Sequence, residues 1–109
     1  MSVAVPVPPL TAHQRADGLA RATAARRHRA GVKRRLKQGE THIDEVIAEA
    51  AHDDALARLT VTELLESMPG VGPVTAGRLM DELGIARSRR LRGLGEHQGR
   101  GLIDHFARA

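Results

Sequence analysis

The stretch SMPGVGPVTAGRLMDELGI, Ser67 to Ile85, decides the fold. Its first proline ends one helix, and Pro73 suits the first position of the next. Between them, glycine backbone can adopt positive φ and approach a ligand closely, and the N–H groups at the start of a helix attract anions. The stretch predicts a hairpin at Gly70, Val71 and Gly72, with Val71 pointing inward, that binds phosphate without reading bases. A turn that only joins two helices is the alternative.

A long basic helix is predicted over residues 11–39. Thr11 and Gln14 have the spacing of a capping box, no proline interrupts the stretch, and Gly39 supplies a stop. The apolar stripe is thin and interrupted, so much of this helix must stay in contact with solvent. It consists of Leu19, Ala22, Ala25, Val32 and Leu36. Residues 1–10 contain three prolines and are predicted to form a disordered tail.

Residues 40–109 are predicted to form a compact helical domain. Apolar residues recur there at helical spacing and nowhere alternate as in a strand. The expected first residues of its four helices are Thr41, Thr60, Pro73 and about Glu96. Gly84 closes the third of these helices, and an arginine-rich turn follows it. The fold class is therefore all-α, a long N-terminal basic helix plus a compact domain.

Charge is segregated along the chain, whose net charge is +4 and whose pI is near 10.9. Residues 11–39 hold nine Lys or Arg and one Asp, a net charge of +8. Residues 40–86 hold two basic and ten acidic residues, a net charge of −8. Residues 87–109 hold six basic and two acidic residues, a net charge of +4. This asymmetry favours a polyanionic partner, nucleic acid before anionic membrane.

Catalytic and metal chemistry find little support in the sequence. No cysteine is present, which fits a reducing compartment, and the N-terminal residues lack the features of an export signal or a membrane span. No Walker loop or nucleophile elbow occurs, so we expect no enzyme, no metal and no cofactor. The histidines, expected to be surface or structural residues, are His13, His28, His42, His52, His97 and His105. The acidic pairs, expected on solvated helix faces, are Asp53-Asp54, Glu63-Glu66 and Asp81-Glu82.

Four arginines crowd into ARSRRLRGLG, directly after the predicted hairpin helix. They are Arg87, Arg89, Arg90 and Arg92, and we expect them on one edge of the hairpin's surface. Planar guanidinium groups suit phosphates and a narrow minor groove, although a solvated basic turn is the alternative. Together with MPGVG, MDELGI and the basic first helix, the SRRLRGLG segment resembles the actinobacterial integration host factor family over about residues 10–107.

The resemblance implies a helix-two-turns-helix domain and a nucleoid-associated role. It also implies binding of double-stranded DNA with little sequence preference, DNA compaction or topology control, and support for phage integration. By position, Arg89, Arg90 and Arg92 match the family's arginine cluster, expected at the minor groove. Gly70, Val71 and Gly72 match the hairpin that meets the DNA backbone, and Lys33, Arg34 and Arg35 match a second contact surface. The family often carries a basic residue where this chain has Pro73, which also lacks an N–H donor.

Two other partner classes remain open at this point. Small-subunit ribosomal proteins use a similar helix-two-turns-helix with a glycine hairpin, so an RNA-binding structural protein is the main alternative. A phage integrase or recombinase complex is a further candidate partner. We expect a cytoplasmic monomer associated with the nucleoid, without a membrane or small-molecule partner.

Overall fold

This computed structural model describes residues 9–107 of the chain. They form six α-helices and one short 3-10 helix, joined by turns and loops. In chain order they are α1 (Ala12–Lys37), α2 (Ile43–Ala50), α3 (Asp54–Ala57), α4 (Val61–Glu66), α5 (Pro73–Glu82), the 3-10 helix (Leu91–Gly93) and α6 (Glu96–Ala107). No strand occurs in this range, only one isolated bridge between Thr60 and Arg90. The all-α prediction is confirmed, while most of the predicted tail lies outside the described residues.

Helix α1 begins and ends where the sequence predicts. The Thr11 N–H donates to Gln14 Oε1 at 2.9 Å, and the Gln14 N–H donates to Thr11 Oγ1 at 3.1 Å, which completes the capping box. Gly39 follows the helix with a φ of 73°. Of its apolar residues only Val32 and Leu36 are buried, whereas Leu19 is 66% exposed. The thin apolar stripe therefore anchors only the second half of the helix.

The segment after α1 differs from the prediction at two places. Helix α2 begins at Ile43 rather than Thr41, and the Thr41 hydroxyl donates to the Glu45 carboxylate at 2.9 Å instead of capping the helix. Helix α3 was not predicted, because four residues are too few to show a helical period. Its cap is Asp53, whose carboxylate accepts the Leu56 N–H at 3.0 Å, and Leu56 is fully buried.

The glycines around α4 and α5 have the predicted roles. Helix α4 starts with the Thr60–Glu63 capping box. A turn follows in which the Val71 N–H donates to the Met68 carbonyl at 3.1 Å, and Gly70, third in that turn, has a φ of 76°, as in a type II turn. Pro73 is the first residue of α5. At its other end Gly84 has a φ of 68° and the Ile85 N–H donates to the Met80 carbonyl at 2.8 Å, closing the helix.

The core is a single aliphatic cluster between the helices. Every described α-helix contributes to it, with Val71 and Phe106 packed at its edge. Its large fully buried side chains are Val32, Leu36, Val46, Leu56, Leu59, Val61, Leu64, Leu65, Met80 and Leu102. A core this small supplies limited hydrophobic stabilisation, so the side-chain contacts between α1 and the rest of the domain also matter.

Candidate nucleic-acid interface

Residues 87–92, called the arginine turn below, are fixed by their backbone against the start of α4. The Val61 N–H donates to the Arg89 carbonyl at 2.8 Å, and the Leu91 N–H donates to the Leu59 carbonyl at 2.9 Å. These bonds flank the isolated bridge between Thr60 and Arg90. The arginine turn is therefore held in one conformation by main-chain bonds.

Two arginines of this turn donate to uncharged acceptors. Arg89 Nη1 donates to the Gly93 carbonyl and Arg90 Nη1 donates to the Arg58 carbonyl, each at 2.6 Å. Arg92 is exposed and makes no hydrogen bond or ion pair within residues 9–107. Because a carbonyl carries no net charge, the positive charge of these three side chains is not neutralised, and each bonded guanidinium keeps further N–H donors. The arrangement orients cations while leaving them available to an anion.

Arg87 is placed differently from the other three. Its Nη2 donates to both carboxylate oxygens of Asp81, at 3.0 and 2.9 Å, and its guanidinium lies over Gly77 on α5. The sequence placed all four arginines on one edge. In the structure Arg87 lies on α5, Arg90 bonds to the Arg58 carbonyl just before α4, and Arg92 lines a surface formed by α2 and α3. Asp81 is exposed, as expected for a solvated helix face, and it also pairs with Arg87.

The hairpin exposes its backbone. Gly70 and Gly72 have open space where a side chain would project, and Gly72, the N-cap residue of α5, offers no side-chain cap. The first N–H groups of a helix have no intrahelical acceptor, and here Pro73 contributes none. Val71 is half-buried and packs against the core, as predicted. The geometry leaves the N–H groups at the start of α5 accessible to an anion.

Lys33 of α1 reaches the same end of α4 as the arginine turn. Lys33 Nζ lies 3.6 Å from Glu63 Oε1, and Glu63 belongs to the capping box at Thr60. Burial raises the Glu63 pKa, but hydrogen bonds from Thr60 and the charge of Lys33 outweigh it and hold this pKa below its ordinary value. Arg34 and Arg35 are exposed and unpaired among the described residues. Glu63 is exposed, as expected for a solvated helix face, and it also links Lys33 to α4.

A second link between α1 and the domain was not predicted from the sequence. His28 Nε2 lies 2.6 Å from Asp53 Oδ2, and Arg29 Nη1 donates to the Ala55 carbonyl at 3.1 Å. The Leu56 N–H bond, together with His28, holds the Asp53 pKa below its ordinary value despite some burial. Asp53 in front of a short apolar run is a recognisable helix cap. Its pairing with a histidine 25 residues away left no signal in the sequence.

A shallow groove of about 430 Å³ lies between α2 and α6. Its lining is largely aliphatic, with Ile47, Leu94 and Ile103, while Arg92 and Arg100 stand among its charged residues. No group of three or more His, Cys, Asp or Glu side chains within residues 9–107 could hold a metal ion. Over the same range, no helix is long and apolar enough to cross a membrane.

Comparison with known proteins agrees with this architecture. The S13-like H2TH domain family matches residues 36–106. Integration host factor of Streptomyces coelicolor is 51% identical over 92 residues, 84% of this chain and 86% of that protein. Integration host factor of Mycobacterium tuberculosis is 48% identical over 103 residues, 94% and 98% of the two chains. The solved structure of sIHF bound to an 8bp palindromic DNA matches with a TM-score of 0.78 and 47% identity, covering 80% of this chain and 98% of that one. This chain therefore belongs to the integration host factor family.

Proposed function

We propose that this protein is a non-enzymatic architectural protein that binds double-stranded DNA with little sequence preference. The observation that carries the proposal is the arginine turn, which holds three cationic side chains on a fixed backbone without a carboxylate to neutralise them. A relative of the same fold, 47% identical, has been solved bound to DNA. Comparison and geometry thus support the same partner.

The arginine turn supplies the minor-groove contact in this proposal. Arg89, Arg90 and Arg92 enter the groove, where guanidinium groups are attracted by the enhanced negative potential of a narrow groove. The bonds from Arg89 and Arg90 to carbonyls orient both side chains before DNA arrives. Such contacts read groove width more than base identity, so they give low sequence specificity.

The hairpin and α1 supply the backbone contacts. The hairpin of Gly70, Val71 and Gly72 brings one phosphate to the start of α5, where the first free N–H groups of the helix bind it. Lys33, Arg34 and Arg35 meet neighbouring phosphates, because Lys33 and the arginine turn both lie at the start of α4. Contacts to the DNA backbone from both the hairpin and α1 favour bending of the DNA. Bending suits a role in compaction, topology control and phage integration.

An RNA-binding structural protein is the less favoured candidate. Its support is the S13-like character of the H2TH domain at residues 36–106. Similarity to integration host factors extends further, over up to 94% of this chain, and so includes most of the basic first helix. We propose that the protein acts on DNA in the nucleoid, without cofactor, as a monomer in solution. A phage integrase or recombinase complex is the candidate protein partner.

The test is equilibrium binding to a 20-base-pair DNA duplex and to an RNA duplex of matched sequence, measured by fluorescence anisotropy. The variant replaces Arg89, Arg90 and Arg92 together by alanine. The control replaces Arg15, Arg21 and Arg27, exposed residues of the first half of α1, and removes the same charge. We expect preference for DNA and an affinity loss of about 100-fold or more in the first variant, as three lost charge-assisted contacts imply.

The control should lose far less affinity than the arginine-turn variant. Equal losses in the two triple variants would mean that net charge alone holds the DNA and would remove the special role of the arginine turn. Equal or tighter binding to RNA would instead move the RNA-binding candidate to first place.

A further inference from the structure

Gly77 occupies an interior position of α5 where a glycine weakens the helix relative to alanine. Its φ is not positive, so no turn requires it. A Cβ built at this position would collide with Arg87 Nη1 and lie 2.9 Å from Arg87 Cζ. The guanidinium of Arg87 therefore occupies the space that a side chain at residue 77 would fill.

Arg87 is held in that place from two further directions. The Thr62 hydroxyl donates to the Arg87 carbonyl at 3.1 Å, which fixes its backbone to α4. The carboxylate of Asp81 accepts two hydrogen bonds from Arg87 Nη2, at 3.0 and 2.9 Å. Arg87 Nε and Nη1 make no hydrogen bond within the described chain, so donors remain for another acceptor.

The Arg87 guanidinium lies on α5, the helix that begins directly after the hairpin. Pro73, Gly77 and Asp81 are spaced four residues apart, so they lie on one face of α5. The Arg87 guanidinium contacts Gly77 and Asp81 on this face, and Gly77 is about one helical turn from Pro73. No lysine or arginine occurs in residues 67–77, and Pro73 has no N–H. Arg87 is thus a cation held on the hairpin's own helix face.

We propose that Gly77 and Asp81 are positioning residues for Arg87. Gly77 leaves room for the guanidinium on α5, and Asp81 orients it, so that Arg87 donates to the DNA phosphate beside the one at the hairpin. This inference rests on the proposed DNA-binding function. It assigns Arg87 to the hairpin contact and separates it from the minor-groove set of Arg89, Arg90 and Arg92.

The first arm of the test is Gly77→Ala, which keeps every charge and favours helix formation. Its new Cβ displaces Arg87, so we expect binding to the DNA duplex to weaken by about three- to tenfold, as Arg87→Ala does, because each loses one charge-assisted phosphate contact. The free energy of unfolding should not fall. Gly18→Ala is the matched control, because a Cβ there meets open space, and it should not weaken binding.

The second arm compares two substitutions that each remove one negative charge. Glu82→Gln changes an exposed neighbour of Asp81 that makes no hydrogen bond or ion pair among the described residues, and it should leave binding unchanged or tighten it. Asp81→Asn removes the same charge but frees Arg87, and we expect it to weaken binding. The difference in affinity between these two variants separates positioning from simple electrostatics. Tightening in both variants would show that Asp81 only neutralises Arg87 and would overturn its assigned role.

A double-substitution cycle completes the test. In the Arg87→Ala background, Gly77→Ala and Asp81→Asn should have no further effect on affinity, because both act through Arg87. If wild type binds DNA and Gly77→Ala binds equally well, the positioning inference is wrong while the proposed function stands. If wild type itself does not bind duplex DNA, the proposed function fails first.

Discussion

The two halves of α1 have the same basic character but differ in how the domain holds them. From His28 onward the helix is fastened by Val32 and Leu36 in the core and by contacts from His28, Arg29, Lys33 and Lys37 to α3 and α4. Over residues 12–27 the structure shows no hydrogen bond or ion pair to the rest of the domain, and Leu19 is 66% exposed. Two buried aliphatic residues and their polar neighbours thus separate a docked half from an exposed half of one helix.

The largest expected effect comes from truncating the docked half. Leu36 is 1% exposed, so Leu36→Ala leaves a cavity in the core and should lower the free energy of unfolding by about 2–5 kcal/mol. Leu19→Ala is the control in the exposed half and should change it by less than about 0.5 kcal/mol. Urea unfolding followed by circular dichroism measures both. Similar losses in the two variants would show that the exposed half is docked as well.

A smaller effect should follow from Asp53, which caps α3 and holds His28. Asp53→Ala removes both contacts and should cost about 1 kcal/mol of unfolding free energy. Asp53→Asn retains a capping oxygen and should cost clearly less. The same urea experiment compares them. An equal cost for both variants would assign the effect to the pairing with His28 rather than to the cap.

Acid should weaken the same link. The folded protein lowers the pKa of Asp53, so its contribution is fully present above about pH 4, the ordinary value for aspartate. It is lost as the pH falls through the depressed folded pKa. Unfolding free energy measured from pH 6 down to pH 2.5 should therefore fall less in Asp53→Asn than in wild type. Parallel curves would mean that Asp53 is not a group responsible for the acid loss.

The smallest effects concern the two glycines of α1. Gly31→Ala lies in the docked half, where a Cβ makes only ordinary contact with Arg34, and should raise the free energy of unfolding by up to about 1 kcal/mol. Gly18→Ala should increase the helical signal with little change in that free energy, because residues 12–27 place no buried side chain in the core and make no hydrogen bond or ion pair to the domain. A gain in unfolding free energy from Gly18→Ala would contradict this difference between the two halves.

Local signals in the sequence predicted much of this fold. The capping boxes at Thr11 and Thr60, the stop at Gly84 and the first-position Pro73 each depend on residues within one helical turn, and all four are confirmed. Helix α3 escaped prediction because its four residues contain barely one period. The start of α2 was misplaced because Thr41 bonds to Glu45 rather than to the backbone.

The candidate site divides in the same way. The spacing of glycines and arginines in the sequence predicted the hairpin and the arginine turn, and the composition of residues 11–39 predicted a basic α1. The partners of the arginines could not be predicted. Arg90 bonds to the Arg58 carbonyl and Arg87 to the Asp81 carboxylate, and these contacts form only after the helices pack. The roles of the predicted DNA-contacting residues remain predictions for the experiments above.

The salt dependence of duplex DNA binding tests the central claim most directly. With about six cationic contacts to the DNA, three from the arginine turn and three from α1, the logarithm of the binding constant should fall against the logarithm of salt concentration with a slope of roughly −5. Replacing Arg89, Arg90 and Arg92 by alanine should bring the slope to roughly −2 to −3, because three cationic contacts are lost. A slope near zero in wild type, or an unchanged slope in the variant, would contradict the electrostatic role assigned to the arginine turn.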